Sequence, residues 1–172
     1  MGILSGNPQN EPMHYGEVFG IWSYLSVSKG LLVGYQTFIN HTGDKDLKNF
    51  LEDLIRTMKP EIEQVEKMLK VNGVAPPPAP PERPVASLES IPVGARFNDP
   101  EIAVGVATNL AAGMVACSQI IGQCIREDIA TMFAQFHQAK VQATGRLLRI
   151  SKEKGWLVPP PLHLQTPELA HV

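Results

Sequence analysis

The chain has 172 residues, 44% of them apolar and 19% charged, an ordinary globular composition on a length that suits one domain with a real core. Its formal net charge of −2 argues against a general nucleic-acid binder, which carries a basic stripe or a high pI. The one local basic excess, Arg146, Arg149, Lys152 and Lys154, closes a predicted helix, where positive charge suits the dipole.

Residues 1–11 are polar and rich in Gly, Pro and Asn, and read as a loose terminus. They hold no basic region and no long apolar run, so they are not a secretory signal. Gly6 stands where a myristoylation pattern wants Ser or Thr. The spacing then predicts a first helix over about 13–41. Val18, Ile21, Trp22, Leu25, Leu32, Tyr35 and Ile39 share one stripe, Ser28 completes it, and Ser23, Ser26, Lys29 and Gln36 lie off it. Pro12 reads as a first-turn proline and Gly43 as a left-handed cap. Asp44 reads as the N-cap of a second helix over 45–72, striped by Leu47, Leu51, Leu54, Met58, Ile62, Val65 and Leu69. Pro60 predicts a kink near Met58-Lys59, and Asn72-Gly73 ends the helix.

Residues 73–100 hold eight of the fifteen prolines and cannot be helical. Extended polyproline II backbone is expected, forming a crossover over 73–98 along the outside of the bundle. Asn98-Asp99-Pro100 opens a third helix over 99–124. No charge occurs from Ala103 to Cys124. The polar residues and glycines within that run speak against a membrane span, and a central helix buried on most sides is the expectation. Gly105, Gly113 and Cys117 share a ridge, and small residues there permit close approach of another helix. Arg126-Glu127-Asp128 marks a turn that no glycine or proline announces. A fourth helix over 128–154 carries Ile129, Phe133, Phe136, Ala143, Leu147 and Ile150 on its stripe, with Gly155 as its cap. Trp156-Leu157-Val158 is expected to fold back over the bundle end, and 159–172 to be a loose tail. The expected architecture is a single all-α domain, 12–158: an up-down four-helix bundle with a long Pro-rich crossover between helices 2 and 3.

The order of segments resembles the spore-coat-protein-F-like family of endospore-forming bacteria. MHYGEVFGIWSYL at 13–25, GYQTFINHTGDKDL at 34–47, PPERPVASLESIPVGARFNDPEI at 80–102, CIREDIATMF at 124–133 and KEKGWLVPPP at 152–161 carry the likeness. The resemblance implies a ferritin-like bundle with no assigned activity and a role connected with the spore coat.

A ferritin-like bundle raises the question of a di-metal site. Such a site takes one Glu on each of two helices and Glu-x-x-His on each of the other two. Glu-x-x-His occurs only as Glu11 to His14 and Glu168 to His171, at the two ends of the chain. The third helix has no carboxylate between Ala103 and Cys124, and the fourth none between Thr131 and Ser151. A di-iron site is therefore not expected, and neither is any other cofactor. The remaining metal candidates are His14 and Glu17, three residues apart on the first helix, with His137 beside the core stripe of the fourth; two or three such groups hold zinc if they meet. Otherwise His14 and Glu17 are an exposed pair and His137 a flank residue. His41 is expected to bond to local backbone in its turn, and His163 and His171 to be solvated. Cys117 and Cys124 lie about 10 Å apart along one helix, too far for a disulfide, and read as inert intracellular thiols. No Gly-x-Ser-x-Gly, P-loop or Gly-x-Gly-x-x-Gly pattern is present. The expectation is a non-enzymatic structural or interaction protein, cytoplasmic or spore-associated. Its partners would be other coat proteins and a second copy, docked near Gly105 and Gly113. The alternative is a divergent bundle that binds a metal ion or small ligand.

Overall fold

The computed structural model describes residues 11–163. Among them are four long helices and no strand: α1 (Tyr15–His41), α2 (Lys45–Val71), α3 (Asp99–Gln123) and α4 (Glu127–Glu153). These limits lie within two residues of those predicted. Residues 1–10 and the tail motif Glu168 to His171 lie outside the described residues.

Side-chain caps start three of the helices. Asp44 Oδ1 accepts from the amides of Asp46 and Leu47. Asn98 and Glu101 form a reciprocal capping box ahead of Pro100, and His14 and Glu17 form another at α1. His14, not Pro12, therefore sets the start of α1. At its other end Gly43 has no positive φ. The α1–α2 corner turns through extended Thr42 instead, because Asp99 Oδ1 accepts from Thr42 Oγ1 at 2.6 Å and from the Gly43 amide at 3.2 Å. Gly73 and Gly155 do take the left-handed conformation, at φ 74° and 71°. α2 runs through Pro60 as one helix.

α1 packs chiefly on α2, and α3 chiefly on α4; the looser α1–α3 and α2–α4 seams join the two hairpins into a four-helix bundle. One core cluster centres on Ile21, Leu69, Phe133 and Phe136, the other on Tyr35, Phe50, Ile102 and Leu147. Each such side chain contributes about 1.5–3 kcal/mol by leaving water. Trp156 packs on the second cluster, whereas Val158 stays exposed, so only the start of the Trp156-Leu157-Val158 segment folds back.

The crossover lies along α1, tied by side chains spaced down that helix. Trp22 Nε1 donates to the Ala75 carbonyl, Lys29 Nζ to Pro77, and Asn40 Nδ2 to Pro84. Gln36 and Asn40 carbonyls accept from the amides of Arg83 and Ala86. From Trp22 to Asn40 α1 rises about 27 Å, while the chain from Ala75 to Ala86 covers it at roughly 2.5 Å per residue. That pace needs extended backbone close to polyproline II. The prolines lack N–H groups, so helix α1 supplies the donors for their carbonyls. Lys29, off the core stripe by spacing, is thereby buried, and its ammonium also pairs with Glu66.

α3 corrects the expectation of burial on most sides. Ile102, Ala103, Val106, Leu110, Cys117 and Ile120 are buried, while Val104 and Val115 stand 62% and 67% exposed on the outer face. By length and composition α3 could cross a membrane, but its inner face belongs to both core clusters.

Candidate functional site

His14 and Glu17 are brought together, 3.8 Å apart, but they are neither an exposed pair nor joined by His137. Glu17 is 1% exposed. Its Oε2 accepts from the His14 amide at 3.0 Å, and its Oε1 from the amides of Ile125 and Arg126 at 2.9 and 3.1 Å. His14 Nδ1 accepts from the Gly16 amide, so Nε2 carries the proton and donates to the Gln123 carbonyl at 2.9 Å. Both side chains are thus engaged by backbone. His137 lies ten residues along α4 from Glu127, about 15 Å of helix. Among the described residues no three His, Cys, Asp or Glu side chains gather as metal ligands. His41 bonds to backbone, but not in its own turn as expected: it accepts from the amide of Phe97, 56 residues on, while His163 is exposed.

Arg126 shares this end of the bundle. It is 3% exposed, forks onto Asp128 at 3.1 and 2.7 Å, and donates to Asn72 Oδ1 at 2.7 Å and the Glu11 carbonyl at 3.2 Å. The Arg126 guanidinium holds the Asp128 carboxyl below the usual carboxylate range. Glu17 and Arg126 together make the α3–α4 turn that no glycine or proline marks.

The concave site lies elsewhere. A slot of about 750 Å³ runs between the two hairpins, lined by all four helices from Gly16 to Tyr35 along α1. Its walls are mostly apolar, with Leu25, Leu54, Ile62, Leu110, Ala116 and Ile120 among them. A group of polar side chains converges inside. Lys140 Nζ donates to Glu61 Oε2 at 3.0 Å, the two side chains being 14% and 12% exposed. The Tyr24 ring lies 5.5 Å from Lys140 Nζ, and its hydroxyl meets Cys117, Ser28 and Glu61. Burial pushes the Tyr24 phenol far up and lifts the Glu61 carboxyl against the pull of Lys140 and Tyr24. Burial also raises the Cys117 thiol. Higher in the slot, burial pushes the Tyr35 phenol up to about 12, against a smaller opposite pull from Asn109.

The two seams of the slot differ. Across α2–α4, Glu61–Lys140 and Asp53–Arg146 form a fence, the latter at 2.9 Å. Across α1–α3, polar ties close the ends, at His14–Gln123 and Thr42–Asp99, while Gly20, Ser23, Val27, Ala112 and Ala116 line the stretch between. The carboxylates lining the slot, Asp53 and Glu61, both sit on α2 and both pair with cations. That set does not fit a di-metal centre, which needs carboxylates and histidines from all four helices.

Gly105 and Gly113 face neighbours within the same chain. A Cβ on Gly105 would meet Phe38 at 3.8 Å, and one on Gly113 would press on the Lys140 stem at 3.1 Å. Close approach there serves the bundle itself, and lets Lys140 reach Glu61. The Lys140–Glu61 pair has a sequence signal. The α4 stripe steps from Phe136 to Ala143, and Lys140 fills the missing beat; on α2 Glu61 follows Met58 by three.

A family model described as "Protein of unknown function (DUF3231)" matches residues 1–169. The uncharacterized protein YvdQ of Bacillus subtilis (strain 168) is 58% identical over 165 residues, 96% of this chain and 97% of that one. A crystal structure from Bacillus halodurans C-125, described as a "putative spore coat protein", superposes with a TM-score of 0.91 at 60% identity, covering 92% of this chain and 100% of that one. A conserved hypothetical protein of Mycobacterium tuberculosis shares the fold at 14% identity, with a TM-score of 0.65 over 80% of this chain and 98% of that one.

Proposed function

Since the chain belongs to the DUF3231 family of proteins of unknown function, we propose its role from the surface it presents: a non-enzymatic structural or interaction protein of the spore, self-associating through the outer face of α3. The long crossover between α2 and α3 supports a ferritin-like reading of the bundle, and the 60% identical coat-protein relative supports the spore association. The thiols are poor nucleophiles. Burial, then Glu17, pushes Cys124 up to about 12, and burial raises Cys117, so both stay protonated at neutral pH.

One observation carries the reading. Val104, Thr108, Ala111, Val115, Ser118 and Gly122 recur at four- and three-residue steps on α3, and all are exposed. No charge lies among them, and the Thr108 hydroxyl already donates to its own helix at Val104. A two-fold contact sets a patch against itself, so any charge on it would meet its like; this face has none. The spacing is that of a helix–helix seam. The occupant is therefore a second copy of this chain, with other coat proteins as further partners.

Two measurements test this. A fluorescent fusion in a sporulating host should collect at the forespore and stay with the coat fraction of purified spores; its absence from purified spores would overturn the spore role. Light scattering should give a dimer for the wild type and a monomer for Val115→Lys. A wild type that stays monomeric at high concentration would remove the self-association.

A further inference from the structure

Protein interiors are packed like organic crystals, and an apolar void forfeits the dispersion contacts of its lining. A slot of about 750 Å³ along most of α1 is therefore costly to keep, and it lies in the size range of ligand pockets. Water is held at the polar groups but gains little along the rest of the wall, which is mostly apolar. The polar groups also restrict what can enter. Both cations at the slot are already neutralised, Lys140 by Glu61 and Arg146 by Asp53. An ionic head group would have to break one of these pairs or be buried without a partner, and either is expensive. Hydrogen-bonding capacity is left over beside the Lys140–Glu61 pair, where Ser28 carries a hydroxyl next to Tyr24.

We propose that the slot between the hairpins binds an elongated, uncharged, largely apolar molecule, a long-chain lipid with a single hydroxyl or carbonyl end group held near Ser28 and Tyr24. Entry is through the α1–α3 seam, where Gly20, Ser23, Ala112 and Ala116 keep the rim low; the opposite seam is fenced by the two ion pairs. The ligand runs along the bundle axis, and the polar tip stops beside the Lys140–Glu61 pair without breaking it.

The test is a titration of the full chain with the neutral fluorophore N-phenyl-1-naphthylamine, followed by displacement. Saturable binding at about one site per chain is expected, with 1-dodecanol displacing the probe at least ~10-fold better than dodecanoate or dodecyltrimethylammonium, a difference of about 1.4 kcal/mol. Ala116→Phe should fill the slot and weaken probe binding by about 10-fold or more. Ser23→Phe at the seam rim should do the same with less disturbance of the core. Val115→Lys, on the outer face of α3, should bind the probe like wild type. The proposal is overturned if the wild type shows no saturable binding or if both filled variants bind as well as wild type. It is equally overturned if Val115→Lys alone abolishes binding, which would place the probe on the outer face, or if the charged amphiphiles displace as well as the alcohol.

Discussion

Glu17 joins three pieces of chain with one carboxylate: its own helix start at His14, and the Ile125 and Arg126 amides that open α4. Arg126 as N-cap offers no side-chain acceptor, so the orphan donors of that turn depend on a residue 108 positions away. This is why only the charged run Arg126-Glu127-Asp128, and no glycine, proline or side-chain cap, marked the turn. Glu17→Gln keeps the shape but replaces one acceptor oxygen with an NH2 that faces amide donors. Hydrogen bonds to a charged group contribute about 1.5–3 kcal/mol, and a buried unsatisfied donor adds to the loss. A destabilisation of about 2–3 kcal/mol is expected in urea unfolding. A variant within about 0.5 kcal/mol of wild type, as surface changes are, would show that Glu17 is not what holds the turn.

At the scale of elements, α1, α2 and α4 were legible from their apolar periods, and α2 and α3 also from the capping residues Asp44 and Asn98. What escaped was set by neighbours in space. Gly43 was not needed as a left-handed cap because Asp99 serves the corner. Lys29 is buried because the crossover lies over it; with Gln36, Asn40 and Trp22, the last of which the spacing had put on the core stripe, it forms a second interface of α1. That interface has a measurable strength. Asn40 makes two hydrogen bonds to the strap, to the Pro84 carbonyl and the Ala86 amide, each contributing about 0.5–1.5 kcal/mol. Asn40→Ala should cost about 1–2 kcal/mol globally, and should raise hydrogen exchange of the Ala86 amide selectively. Unchanged exchange at Ala86 would mean the strap is held without that side chain.

The whole molecule is two tight hairpins that meet along loose seams, and its slot belongs to no single helix. Glu61 and Lys140 are 79 residues apart, so the pair emerges only when the hairpins assemble; neither is among the residues that the spacing singled out, although Lys140 fills the gap between Phe136 and Ala143 in the α4 stripe. Gly113 links this assembly to the question of self-association. A side chain there meets the Lys140 stem at 3.1 Å, the stem that carries the ammonium to Glu61. Gly113→Leu should therefore overpack the bundle, lowering stability by about 1–3 kcal/mol although helix propensity alone favours leucine by nearly 1 kcal/mol. The loss should be smaller in a Lys140→Ala background, where the stem is gone, and the difference in a double-mutant cycle measures the clash. Oligomeric state should not change, because the glycine faces inward while Val115 faces out. If Gly113→Leu instead dissociated the dimer at full thermal stability, the contact between copies would have to involve this ridge, and the outer face of α3 would lose its claim to it.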